Sequence, residues 1–88
     1  MSKADLTVDL HAINKNSRAI DEALNDLVAT AIKKRLRIVE IIPGKGSGQL
    51  MKQVKRFLQQ PDIKQTYKRV EIDSRNHGRL FVYFRQLV

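Results

Sequence analysis

Two short stretches of this chain hold the residues best suited to chemistry. Asp9 and His11 stand two apart in Leu6-Thr7-Val8-Asp9-Leu10-His11, and residues two apart on a strand project to the same side. An imidazole titrating near neutrality can take or give a proton. A neighbouring carboxylate can fix its tautomer and raise its basicity, or bind a divalent cation instead. The plain alternative is a solvated strand-end histidine, with Asp9 capping a loop amide. The second stretch is Gly44-Lys45-Gly46-Ser47-Gly48. Missing Cβ atoms let a ligand come close to the backbone, and the free amides of a first helical turn attract anions. The spacing GxGxG matches neither the Walker A loop nor the dinucleotide fingerprint. A flexible turn is the plain reading, but three alternate glycines exceed what a turn needs, so the loop is read as a phosphate binder. Lys52, Lys55 and Arg56 follow it, with Lys52 and Arg56 taken as further backbone contacts. Lys33, Lys34, Arg35 and Arg37 form a separate, weaker cluster.

The elements that must position these residues follow from pattern. Leu6 to Leu10 alternates apolar and polar as a half-buried strand does, with Leu6, Val8 and Leu10 inward and Thr7, Asp9 and His11 outward. Ala12 to Lys15 reads as a loop, and Asn16 or Ser17 as a helix cap. Ile20, Ala23, Leu24, Leu27, Val28 and Ala31 then recur at helical spacing, with Asp21 and Glu22 near the start and Lys33 to Arg35 near the end. Arg37 to Ile42 is short and β-branched, a buried strand stopped by Pro43. Leu50, Val54, Phe57 and Leu58 mark a second helix, ended by Pro61. Thr66 to Asp73 and Leu80 to Phe84 are strands joined through Ser74-Arg75-Asn76-His77-Gly78, where His77 is read as a turn residue. Phe81 and Tyr83 lie on the face opposite Leu80 and Val82, as packing residues or as platforms for bases.

The order is therefore βαβαββ, an α/β chain (an α+β two-layer sandwich) with a four-stranded mixed sheet and two helices. A β–helix–β crossover makes the first two strands parallel. Asp9 and His11 at the end of one strand, and Gly44 to Gly48 at the end of the next, then share one sheet edge. Open α/β sheets bind ligands at such edges.

Length and composition bound the rest. Eighty-eight residues with 42% hydrophobic content fit one domain, read as residues 6–88 after a tail of residues 1–5. The absence of cysteine removes disulfides and thiolate metal sites and fits a reducing compartment. No apolar run is long enough to span a bilayer, and Met1 to Asp5 lacks a signal-peptide pattern; a cytoplasmic protein without a membrane partner is expected. Net charge is +8, and it is uneven. Residues 1–30 carry three basic and five acidic groups, residues 31–88 fourteen basic and four acidic. A polyanion is the natural partner of such a surface, although many small basic domains are simply soluble.

Val8-Asp9-Leu10-His11 resembles the LDLHG motif that opens the Smr (small MutS-related) domain. Ile41-Ile42-Pro43-Gly44-Lys45-Gly46-Ser47-Gly48-Gln49-Leu50 is similar to that family's second signature, HGKGxGxL. The two occur in the family's order, and the resemblance extends from Leu6 to about Leu87. It implies a stand-alone member with a two-layer βαβαββ fold, DNA or RNA binding and, often, endonuclease activity. Asp9 and His11 match the residues held responsible for cleavage, and Gly44, Lys45, Gly46 and Gly48 the substrate-binding loop. Three departures stand out: Ala12 replaces the glycine after the histidine, the segment from Ala12 to Ser17 is long, and Pro43 stands where the second motif commonly has histidine. Proline has no titratable group and no amide hydrogen.

Three readings follow. In an endonuclease, His11 would deprotonate a neighbouring 2′-hydroxyl on RNA, or activate water on DNA with a divalent ion (magnesium or manganese) on Asp9. In a binding module, the loop grips phosphate without chemistry. In a protein- or ribosome-associated adaptor, the charge is incidental.

Overall fold

A computed structural model describes residues 4–10, 16–43, 48–73 and 78–85. The elements are β1 (Leu6–Asp9), α1 (Ser17–Lys33), β2 (Ile38–Ile42), α2 (Gln49–Leu58), α3 (Pro61–Lys64), β3 (Tyr67–Ile72) and β4 (Leu80–Phe84). The strands form one mixed sheet in the order β1-β2-β4-β3. β1 and β2 run parallel, with Leu6 beside Val39 and Asp9 beside Ile42. β4 runs antiparallel to both β2 and β3, with Val82 beside Val39 and Val70. The expected βαβαββ order and mixed four-stranded sheet are observed.

Alternation along the strands decides which face is covered. Val39 and Ile41 of β2 and Leu80, Val82 and Phe84 of β4 join Ile20, Leu24, Leu27, Val28 and Ala31 of α1 and Val54, Phe57 and Leu58 of α2 in one buried cluster. The described helices therefore cover one face. The out-of-phase residues Thr7, Asp9, Glu40, Phe81 and Tyr83 look to the other side, which no described helix covers. Burying the aliphatic residues of that cluster, at about 25 cal/mol per Å² of apolar surface, is the main force holding the helices to the sheet.

Local chemistry fixes the ends of the elements. Asn16 is extended, and its Oδ1 accepts from the Ala19 amide at 2.8 Å, which caps α1. Asp21 and Glu22 fall beyond the first turn, which holds no acidic residue. Asp21 instead accepts from Gln53 Nε2 at 3.1 Å, tying α1 to α2. At the other end the Leu36 amide donates to Ala31 O (2.9 Å) and the Arg35 amide to Ile32 O (3.3 Å). This is a Schellman closure, in which the residue after the cap takes a left-handed conformation. That residue is Arg35, with φ 55, where glycine is usual. Asp5 then accepts from the Arg37 and Ile38 amides at 2.8 and 3.2 Å, setting β1 against the start of β2. Those two amides hold its carboxyl below the usual carboxylate range.

Three details go beyond the pattern. Pro61 opens a short helix as well as following α2, because a missing amide hydrogen costs nothing at a first helical position. Tyr67, on β3, donates its hydroxyl to Leu58 O at 2.6 Å and so ties the end of α2 to the sheet. Ile72, although in phase with Val70, is 45% exposed at the end of its strand.

Candidate nucleic-acid interface

The parallel pairing of β1 and β2 sets Asp9 beside Ile42 at one end of the sheet, so the two sequence motifs begin at the same edge. Asp9 is the last residue of β1 and is exposed, whereas Leu10 has left the strand and is fully buried. The pleat therefore stops before position 11. His11 lies outside the described residues, as do Ala12 to Lys15, Gly44, Lys45, Gly46, Ser47 and His77.

The far side of the glycine loop is described. Gly48 caps α2 in the left-handed conformation, with φ 84 and ψ −2. A Cβ at that position would meet nothing within 4 Å, so glycine is needed there for its backbone freedom and not for space. Gly48 has no side chain to offer the first-turn amides, and that turn contains no acidic residue. First-turn amides at such a cap are a recurrent anion-binding arrangement. Lys52 closes the first turn, its amide donating to Gly48 O at 3.0 Å, with its side chain exposed. Arg56 lies one turn further along the same exposed stripe, in the last turn of α2, about 12 Å along the axis from Gly48 at 1.5 Å per residue. Lys52 thus sits beside the loop and Arg56 well away from it. Pro43 is buried directly after β2.

One constellation at this end of the sheet has no signature in the sequence pattern. Glu40, 6% exposed in the middle of β2, accepts from the Thr7 hydroxyl at 3.0 Å and from the Arg79 guanidinium at 2.9 Å. Arg79 also donates from Nε to Asp73 at 2.6 Å across the mouth of the β3–β4 hairpin. Both carboxylates raise the Arg79 pKa, that of Asp73 most strongly, so the guanidinium stays charged. Ile41 pairs with Leu80, so Arg79 falls one step on, beside Ile42 and in the same rung of the sheet as Asp9. The arginines also cover the aromatic rings. Arg79 lies 5.6 Å from the Phe81 ring centre and Arg69 4.3 Å from that of Tyr83. Tyr83 donates in turn to Glu71 at 2.8 Å. With both rings buried under guanidinium groups, Phe81 and Tyr83 are packing residues and offer bases no bare stacking surface.

Among the described residues no three histidine or acidic groups converge as a metal site requires. No helix among the described residues is long and apolar enough to cross a membrane.

Comparison with known proteins agrees with this architecture. The solved Smr domain of Thermus thermophilus MutS2 is similar in fold, with a TM-score of 0.74 and 20% sequence identity, covering 90% of this chain and 96% of that one. No curated protein matches the sequence. The model of the Smr domain family matches residues 8–85, from the strand that carries Asp9 to the residue that follows β4. The chain belongs to the Smr domain family.

Proposed function

We propose that this chain binds a nucleic-acid backbone at the Asp9 end of the sheet and cleaves a phosphodiester bond there. The observation that carries the reading is Gly48: a left-handed N-cap gives α2 a first turn with no capping side chain among the described residues and no acidic residue, after the strand that pairs with the one carrying Asp9. The family is one of nucleic-acid-binding and nuclease-type domains. In this reading Gly44, Lys45, Gly46, Ser47 and Gly48 cradle the phosphate, and Lys52 and Arg56 follow the backbone along α2. Asp9 orients His11, which takes the proton. On RNA that proton comes from the 2′-hydroxyl. The 2′-oxygen attacks phosphorus, the bond to the 5′-oxygen breaks, the 5′-oxygen leaves as a hydroxyl with a proton from solvent, and a 2′,3′-cyclic phosphate remains. On DNA the proton comes from the attacking water, whose oxygen bonds to phosphorus as one ester P–O bond breaks and the leaving oxygen takes a proton from solvent.

The test is cleavage of matched RNA and DNA by purified protein, with a chelator present in one arm. Asp9→Asn and His11→Ala should each abolish cutting while leaving binding near that of the parent. Lys45→Ala should weaken binding to all sequences alike. Cutting that survives both the Asp9 and His11 changes refutes this chemistry. A second reading, binding without cutting, is favoured by one observation: a buried proline occupies position 43, where the family motif commonly has histidine. It predicts salt-sensitive retention of both nucleic acids and no cleavage in any arm.

A further inference from the structure

Among the described residues, most of the positive charge outside ion pairs lies away from the glycine loop. β1 and β2 end at the Asp9 edge, and β2 and β3 begin at the opposite one. That opposite edge gathers Lys33, Lys34 and Arg35 from the end of α1, Arg37 before β2, Lys68 on β3 and Arg85 after β4. All six side chains are exposed, and none forms an ion pair among the described residues. Lys64, at the end of α3, adds a seventh charge. The acidic residues at this end are Asp5, occupied by the Arg37 and Ile38 amides, and Asp62.

Neighbouring hydrogen bonds set the charges in a row. The Phe84 amide donates to Arg37 O and the Arg85 amide to Thr66 O, so Arg37, Arg85 and the start of β3 lie on adjacent strands. Strands are about 4.8 Å apart, so the row spans about 10 Å, comparable to three base-pair steps of about 3.4 Å along a duplex axis.

Lysines at a helix C-terminus commonly do no more than offset the dipole, and that accounts for Lys33 and Lys34. It does not account for Arg37, Lys68 and Arg85, which sit on strand ends, nor for Arg35. Arg35 occupies a left-handed position, φ 55, at which glycine would be unstrained. Residues held in sparsely populated conformations gather where function has kept them. Here the strained residue is an exposed arginine that follows Lys33 and Lys34 and precedes Arg37 in the chain.

We infer that the basic edge formed by Lys33, Lys34, Arg35, Arg37, Lys68 and Arg85 is a second nucleic-acid contact surface, which grips the phosphate backbone of a duplex at the end of the sheet opposite the glycine loop. The inference rests on the charge row and on Arg35, and it stands whether or not the loop end cuts. Lys52, Lys55 and Arg56 on the exposed side of α2 join the two ends, so one duplex can reach both.

The experiment measures affinity for a short DNA duplex, and for the same duplex in RNA, across a salt series. In B-DNA the slope of log affinity against log salt changes by about 0.9 for each phosphate that the protein neutralises. The variant Lys33→Gln/Lys34→Gln/Arg35→Gln should therefore flatten the DNA slope by about 2 to 3, while Lys33→Arg/Lys34→Arg/Arg35→Lys should preserve it. Arg69→Gln removes equal charge per residue from the uncovered face of the sheet and should leave the slope unchanged. Arg35→Gly should raise the melting midpoint by about 4 °C and still flatten the slope, whereas damage to the fold would lower both. An unchanged slope in the triple variant overturns the inference. So does a slope that Arg69→Gln flattens as much as Lys34→Gln does, since net charge alone would then explain it. Loss of binding to phosphatidylserine vesicles with the duplex slopes intact would assign the edge to a membrane, and would overturn it equally.

Discussion

Gly48→Ala isolates the backbone requirement at the mouth of the glycine loop. The added Cβ meets no atom within 4 Å, so no clash or repacking enters the cost. What remains is the conformational penalty of an L-residue at φ 84, about 1–2 kcal/mol. Alanine also restricts the unfolded chain, which returns about 0.4–1 kcal/mol. The net loss should be about 1 kcal/mol, or a melting midpoint lower by about 4–8 °C for a domain of this size. Reversible thermal unfolding, checked by urea titration with an unchanged slope, measures it. Gly48→Asn, whose side chain tolerates the left-handed region, should recover part of the loss. Because the strain falls on the residue that opens α2, affinity for nucleic acid should fall in the alanine variant by more than in the asparagine variant. An alanine variant as stable as the parent would show that the loop reaches negative φ at no cost, and the geometric argument for Gly48 would fail. A loss well beyond about 3 kcal/mol would point to the burial-type costs that the open space around Gly48 excludes.

Other substitutions probe separate links. Tyr67→Phe removes the bond to Leu58 O and should cost about 1 kcal/mol near neutrality. Burial raises the Tyr67 pKa, so the parent's stability from this group is complete below about pH 10 and is lost as pH rises through the folded value; the phenylalanine variant should lack that alkaline component in a stability–pH series. Asp5 shows the reverse sign. Its folded pKa is lowered by the Arg37 and Ile38 amides, so its contribution is complete above about pH 4 and disappears as pH falls through the folded value, and Asp5→Asn should flatten that acid limb. Arg79→Met leaves the Glu40 carboxylate with the Thr7 hydroxyl as its remaining described partner. Unfolding should show that change to be more damaging than the double variant Arg79→Met/Glu40→Met, because a buried charge without its partner costs more than an apolar pair.

The elements are legible in the sequence where one period dominates. Ile20 to Ala31 holds its helical spacing over three turns, and β4 alternates Leu80, Val82 and Phe84 against Phe81 and Tyr83, so both appear in sequence and structure alike. α3 is not legible, because four residues cannot display a helical period and Pro61 reads equally as a stop or a start. The Glu40 constellation is hidden for another reason. A glutamate inside Ile38 to Ile42 looks like an interruption of a buried strand, and its guanidinium partner lies 39 residues away. The Schellman closure at Arg35 is equally silent, since the usual sign of a left-handed C-terminal residue is glycine and an arginine conceals it. Of the candidate site, strand order is enough to bring Asp9 and the start of α2 to one sheet edge. The reach of Arg56 depends on the direction of the helix axis, which residue order does not carry.

Charge placement also constrains the path a nucleic acid can take. On the uncovered face and its rim stand Asp9, Glu40, Glu71 and Asp73, against Arg69 and Arg79. Both arginines are engaged: Arg79 with Glu40 and Asp73, and Arg69 with Glu71 and the Tyr83 ring. A backbone laid across this face would meet carboxylates in excess of arginines and no uncommitted cation among the described residues. The same chain leaves Lys52, Lys55 and Arg56 exposed along α2 and a basic row at its far end. Phosphates gain by releasing counterions only where cations are free to replace them. In the proposed reading the favourable track therefore runs over the end of α2 and along its exposed stripe, and a phosphate reaching Asp9 arrives from the helix side.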